Sequence, residues 1–376
     1  MTLDERAIKL AELVLDYSVR INSNDTLLVQ SDPAFSEFAY QIGSEAQKRG
    51  AFVLYDFESY NPKTQRGLVE RLNEKELNAD LTRRCELSAA CSARILIDAE
   101  SDPDYLKGVD PKKIAEFEKR VISPYKKVLY REKDGKEVVK WNITGYPSKA
   151  DAETAGMSLK QYSDFVFGAC LIDWAEAEKK MRTIKKLFDH AENVQIQSGN
   201  GNCLNFSLKS RGGEISTGTH NMPSGEVFYA PEENSIFGSI SFSIPAIRMG
   251  NRVEGIELKF TNGVISDYSA KQNKQFLESM ILNIDGANKV GEFGIGCNYG
   301  ITRATGNLLF DEKIGGTVHL ALGKALSNNL ENGGGLNDGD IHWDLVCDLR
   351  KSASNPGGKI YINDRLVQRD GIWCFE

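Results

Sequence analysis

The chain has 376 residues, more than one ordinary hydrophobic core accommodates, so two domains are expected. Its 41% hydrophobic and 26% charged residues suit a globular protein, and a net charge of -7 leaves no basic excess to displace phosphate counterions, which excludes nucleic-acid binding as the main task. No apolar run approaches the length of a membrane span, and the opening MTLDERAIKL is charged from Asp4 onward, so neither a signal peptide nor a membrane location is expected.

Taken in chain order, Leu3, Ala7, Ile8, Leu10, Ala11, Val14 and Leu15 fall on one face and predict an opening helix. DTLLVQSD (25–32) is short, apolar and closed by polar residues, a buried strand. A helix is expected over about 35–49, with Phe38, Ala39, Ile42 and Ala46 on one face and Gly50 placed to end it. GAFVLYDF (50–57) gives a second strand, 65–90 a helical stretch, and ARILIDAES (93–101) a third strand. Short apolar strands separated by helices imply βαβ units and a largely parallel sheet. No G-x-G-x-x-G follows the first strand, so a dinucleotide-binding reading has little support. One long helix, WAEAEKKMRTIKKLFDHAE (174–192), closes this half.

Beyond about residue 190 the texture changes to short alternating strands with N-G, G-G and N-D turns. GIELKFTNGVISDYSA reads as a hairpin turning at Asn262-Gly263, and a helix is expected over 271–288. The fold class that follows is α/β: an N-terminal α/β domain with a largely parallel sheet over 1–190, and a C-terminal mixed α+β domain over 191–376. The seven cysteines are scattered and never form a C-x-x-C pair, which points to a reducing, cytoplasmic setting and not to disulfides or a zinc ribbon.

The residues that can carry chemistry lie in the second half. They are Glu226, Glu292, Glu312, His319, His342 and Asp344, nearly all flanked by glycine or by β-prone apolar residues. Charged groups in such settings are costly to bury without a partner, and a divalent cation, or two, compensates several carboxylates at once. Mixed imidazole and carboxylate ligation suits Zn, Co or Mn. On a strand, His342 and Asp344 at i and i+2 share a face and can reach one metal, with Trp343 turned the other way. Each residue taken singly also has an ordinary reading: solvated turns for Glu226 and Glu312, a loop cap for Glu292, a core histidine for His319, a structural pair for His342 with Asp344. His190 and His220, the remaining histidines, are expected to face solvent.

Taken together, NMPSGEVFYAPEENS, GEFGIGCN, LLFDEKIGGTVHLALG and GDIHWDLV resemble the successive motifs of the aminopeptidase T family of metallo-aminopeptidases. YSVRINSNDTLLVQSD, AYQIGSEAQKRGAFV and YLKGVDPKKIAEFEKR are similar to its N-terminal domain, so the resemblance spans almost the whole chain. It implies a C-terminal domain binding two divalent metal ions, removal of N-terminal amino acids from peptides, and a homodimer; a hydroxide bridging the two ions is the nucleophile that two-metal chemistry leads one to expect. By position it implies that Glu226, Glu292, His319, His342 and Asp344 are metal ligands, with Glu312 the nearest match to a further acidic ligand. Glu226 or Glu292 would also shuttle the proton. One departure stands out. The family's tyrosine seven residues past the first histidine is Leu326 here. A metal-binding hydrolase of other amides, a non-catalytic homologue, and a non-enzymatic α/β binding module therefore remain as alternatives.

Overall fold

The computed structural model describes residues 4–133, 136–248, 251–325 and 334–374. The chain divides into two compact units, Met1–Leu171 with Gly218–Pro223, and Ile172–Thr217 with Ser224–Glu376. The helix Trp174–Phe188, expected to close the first half, lies with the second unit.

The first unit holds a five-stranded parallel sheet. Its order is Asn221–Met222, Lys140–Gly145, Ala93–Asp98, Thr26–Gln30, Phe52–Asp56. Three of these strands were legible as apolar runs. Lys140–Gly145 carries no such signal, because its KWNITG sequence places buried Asn142 and Thr144 where an apolar pattern is sought. Asn221–Met222 carries none either, since it arrives from far along the chain and pairs with Ile143 and Thr144. The expected helical stretch 65–90 is two helices, Pro62–Arg71 and Glu74–Ala90. Leu72 turns left-handed at φ 48° and Asn73 then caps the next helix by accepting from the Glu76 amide.

At the end of the strand Phe52–Asp56, Asp56 is buried and accepts from Gln30 Nε2 at 2.9 Å, the Ser59 amide at 3.1 Å and Arg83 Nη1 at 2.6 Å. Burial pushes its carboxyl up, but the bonds from Ser59 and Gln30 and the charge of Arg83 outweigh burial and hold it below the usual carboxylate range. The stability it contributes is therefore present above that range and is lost as pH falls through it. Asp56→Ala strands these donors, and we expect a loss of about 3 kcal/mol, read as a lower urea midpoint.

The second unit is built on two antiparallel sheets. The eight-stranded one runs Val264–Ser269, Ile256–Thr261, Phe237–Phe242, Cys203–Phe206, Val194–Gln197, Lys359–Ile362, Arg365–Arg369, Ile372–Trp373. Its first two strands form the expected hairpin. Asn262 and Gly263 both take positive φ, 51° and 78°, as a two-residue turn of type I′ requires. The expected helix 271–288 is shorter, Lys274–Asn283.

The five-stranded sheet runs His342–Asp348, Thr317–Gly323, Val290–Gly296, Glu226–Tyr229, Glu214–Ser216. One face enters the unit's main core through Val227, Tyr229, Phe293, Ile295, Val318, Leu320, Leu322, Trp343 and Leu345. Each such side chain, fully buried, stabilises by roughly 1.5–3 kcal/mol. Alternation along the strands sends Glu226, Glu292, His319, His342 and Asp344 to the opposite face, among small residues such as Gly294, Gly296 and Ala321.

Candidate metal centre

Strand register brings the opposite face together. Glu292 pairs with Ala321 and Ala321 with Asp344, while Gly294 pairs with His319 and Gly296 with Glu226. Large side chains thus alternate with glycine or alanine on adjacent strands, which leaves room for carboxylates and imidazoles to lean across. Gly294 shows the need most directly: a Cβ there would lie 2.0 Å from His319 Nε2. A bulge between Val290 and Glu292 aims the glutamate at the middle of the group.

Five of the six expected residues meet. Glu226, Glu292 and His319 offer ligand atoms all within 4.8 Å of one another, and so do Glu292, His342 and Asp344. Glu292 belongs to both sets. His319 Nε2 lies 3.3 Å from Glu292 Oε1 and 3.6 Å from Glu226 Oε2. His342 Nε2 lies 3.4 Å from Asp344 Oδ1 and 3.9 Å from Glu292 Oε2. Glu292 Oε2 and Asp344 Oδ1 are buried and receive no hydrogen bond. Buried carboxylate oxygens in that condition are costly, and a cation between them removes the cost.

Both imidazoles are oriented from behind. His319 Nδ1 donates to the Glu312 carbonyl at 3.0 Å, and His342 Nδ1 donates to the Lys324 carbonyl at 2.7 Å. A proton fixed on Nδ1 leaves the Nε2 lone pair facing the group, the arrangement seen in histidines that bind metals. Burial raises the Glu292 carboxyl, with His319 and His342 opposing it. For His319 burial works downward, but Glu292, Asp344 and Glu226 more than offset it and bring the ring to about 9. His342 rises likewise to about 10 against burial, through Asp344 and Glu292. The carboxylates attract positive charge onto the rings, and divalent ions satisfy the same demand. The donor set of three carboxylates and two imidazoles, with two orphaned oxygens, fits such ions.

Glu312 follows the short helix Leu308–Asp311 and is placed differently. Its carbonyl serves His319, its carboxylate pairs with Lys313 Nζ, and burial pushes that carboxyl up to about 7 against the pull of Lys313. Lys313 is the residue that sequence reasoning missed. It is fully buried, with its ammonium also 3.8 Å from Glu226 Oε1. In DEKIGG it reads as a surface turn, and no local signal marks it. Leu326 lies outside the described residues. His190 is exposed with Nδ1 3.2 Å from the Lys209 carbonyl, and half-exposed His220 pairs with Glu137 at 3.0 Å.

A family model described as thermophilic metalloprotease (M29) matches residues 3–373. Aminopeptidase 2 of Geobacillus stearothermophilus is 25% identical over 415 residues, covering 98% of this chain and 97% of its own. Aminopeptidase T of Thermus aquaticus is 24% identical over 360 residues, covering 87% of this chain and 86% of its own. The solved structure of wild-type AmpT from Thermus thermophilus superposes with a TM-score of 0.79 at 20% identity, over 98% of this chain and 99% of that one.

Proposed function

Since this chain belongs to the thermophilic metalloprotease (M29) family, we propose that its glutamates, histidines and aspartate form a dinuclear centre that removes N-terminal amino acids from peptides. The family itself makes the chain a metallo-aminopeptidase acting on peptides. The observation that supports two ions over one is Glu292, common to two sets of ligand atoms. Two divalent ions, Zn, Co or Mn, supply when bound a water of lowered pKa and a Lewis acid for the scissile carbonyl.

The residues divide the remaining work. His319 and His342 present Nε2 because the Glu312 and Lys324 carbonyls hold their Nδ1 protons. Glu292 and Asp344 supply buried, unshared oxygens. Of the two glutamates, Glu292 is shared by both sets and Glu226 belongs to one, which leaves Glu226 as the glutamate to carry a proton from water to the leaving amine. A substrate's free α-amine is drawn to a carboxylate-rich wall, which restricts cleavage to the N-terminus. The proposal extends to a homodimer in the cytoplasm. All seven cysteines are free thiols, in keeping with a reducing compartment. No helix among the described residues is long and apolar enough to cross a membrane.

A panel of aminoacyl-nitroanilides tests the reaction, using EDTA-treated protein with Zn, Co or Mn added back singly. The expected result is no release from the stripped protein and restored release with at least one metal. Metal bound without release from any substrate would sink the aminopeptidase mechanism in favour of another amide.

A further inference from the structure

Lys313 occupies a place that the metal reading does not explain. Its amide donates to the Phe310 carbonyl at 3.0 Å and its carbonyl accepts from the Asn298 amide at 2.9 Å, so the backbone is fixed on both sides. The side chain is 0% exposed and ends against two carboxylates, Glu312 in direct contact and Glu226 Oε1 at 3.8 Å. Glu226 is thereby divided, one oxygen toward the ammonium and the other 3.6 Å from His319 Nε2.

The two halves of the centre differ as a result. On the side of Glu226, Glu292 and His319, a fixed ammonium already shares a ligand carboxylate. A divalent ion entering there competes for Glu226 and meets like charge in a buried setting, where screening is weak. On the side of Glu292, His342 and Asp344, no lysine or arginine is within ion-pair distance of the carboxylates among the described residues; the nearest cations act on Asp344 from farther off, Lys313 and the Arg248 guanidinium, which donates to the His342 carbonyl at 3.1 Å. Among the same residues, the two buried carboxylate oxygens left without a hydrogen bond, Glu292 Oε2 and Asp344 Oδ1, both belong to this side.

We propose that Lys313 is a resident counter-cation that weakens one metal position, so that the centre loads in order. The position at Glu292, His342 and Asp344 fills first, and the position at Glu226, Glu292 and His319 fills second, at higher metal concentration. This rests on the dinuclear reading above. It makes the second ion, and with it the activity, responsive to metal supply, while the first ion stays bound.

The test is calorimetric titration of metal-stripped full-length protein with Zn or Co, with bound metal counted by elemental analysis after dialysis. Wild-type protein is expected to bind two ions in steps at least about ten-fold apart in affinity. Lys313→Met, neutral and similar in length, is expected to tighten the second step about ten-fold or more and to leave the first within about three-fold. Lys313→Arg keeps the charge and is expected to keep the two steps apart. His319→Ala is expected to delete the weak step and Asp344→Asn the tight one. Two ions of equal affinity in wild-type protein, or an unchanged second step in Lys313→Met that retains the wild-type circular dichroism, overturns the ordering and leaves the dinuclear reading intact. Absence of any metal binding in wild-type protein overturns both.

Discussion

Glu292→Gln is expected to empty both metal positions and to lower peptidase activity on the order of a thousand-fold or more. The substitution keeps the shape of the side chain and removes only its charge and one ligand oxygen. It acts on both positions because Glu292 lies within reach of His319 on one side and of His342 and Asp344 on the other. The outcome separates it from its neighbours. His319→Ala touches one set only and is expected to retain an ion at the other. Elemental analysis of dialysed protein reads the difference directly. The rise in thermal midpoint that bound metal gives the parent is expected to vanish in the Glu292 variant, because a ligand that no longer binds the folded state no longer stabilises it. A Glu292→Gln protein with the parent's metal content and activity would refute the assignment of the shared ligand.

The second large effect comes from a residue that cannot itself bind a metal. Gly294→Ala adds a Cβ 2.0 Å from His319 Nε2 and 2.1 Å from its Cε1. The ring is held behind by the Glu312 carbonyl, so it cannot simply retreat. Displacement by about 1 Å at a catalytic group costs roughly a hundred-fold, and we expect a loss of that order in kcat, with bound metal falling on the His319 side. The strand itself tolerates alanine, since the backbone there needs no positive φ. Crystals of the variant with His319 unmoved, or kinetics within three-fold of the parent, would contradict this account.

Much of this cluster is legible in the sequence. His342 and Asp344 share a strand face by spacing alone, and the apolar flanks of Glu292 and His319 announced that their charges needed partners. The parallel sheet was legible where strands are runs of buried apolar residues, as in Thr26–Gln30 and Ala93–Asp98. It was illegible in Lys140–Gly145, whose buried Asn142 is satisfied by the carbonyls of Gly218 and Thr219, some 76 and 77 residues on. Lys313 escaped for the same reason. Its burial depends on Asn298 and Glu226 arriving from other parts of the chain, and no local pattern encodes their arrival. The direction of the Glu312 carboxylate then follows from Lys313, so missing one residue obscured the placement of the other.

The two-residue strand Asn221–Met222 bears on how the protein can be made and cut. Because it finishes the first unit's sheet, that unit is complete only after some 222 residues have emerged from the ribosome, with the 172–217 segment of the second unit already synthesised. The Lys140–Gly145 edge waits unpaired through that interval, and Asn142 waits without its carbonyl partners. A fragment ending at residue 171 would keep that edge bare permanently, a template for association between copies. Dissection of this protein therefore requires grafting residues 218–223 back onto the fragment, and a simple truncation is the wrong instrument.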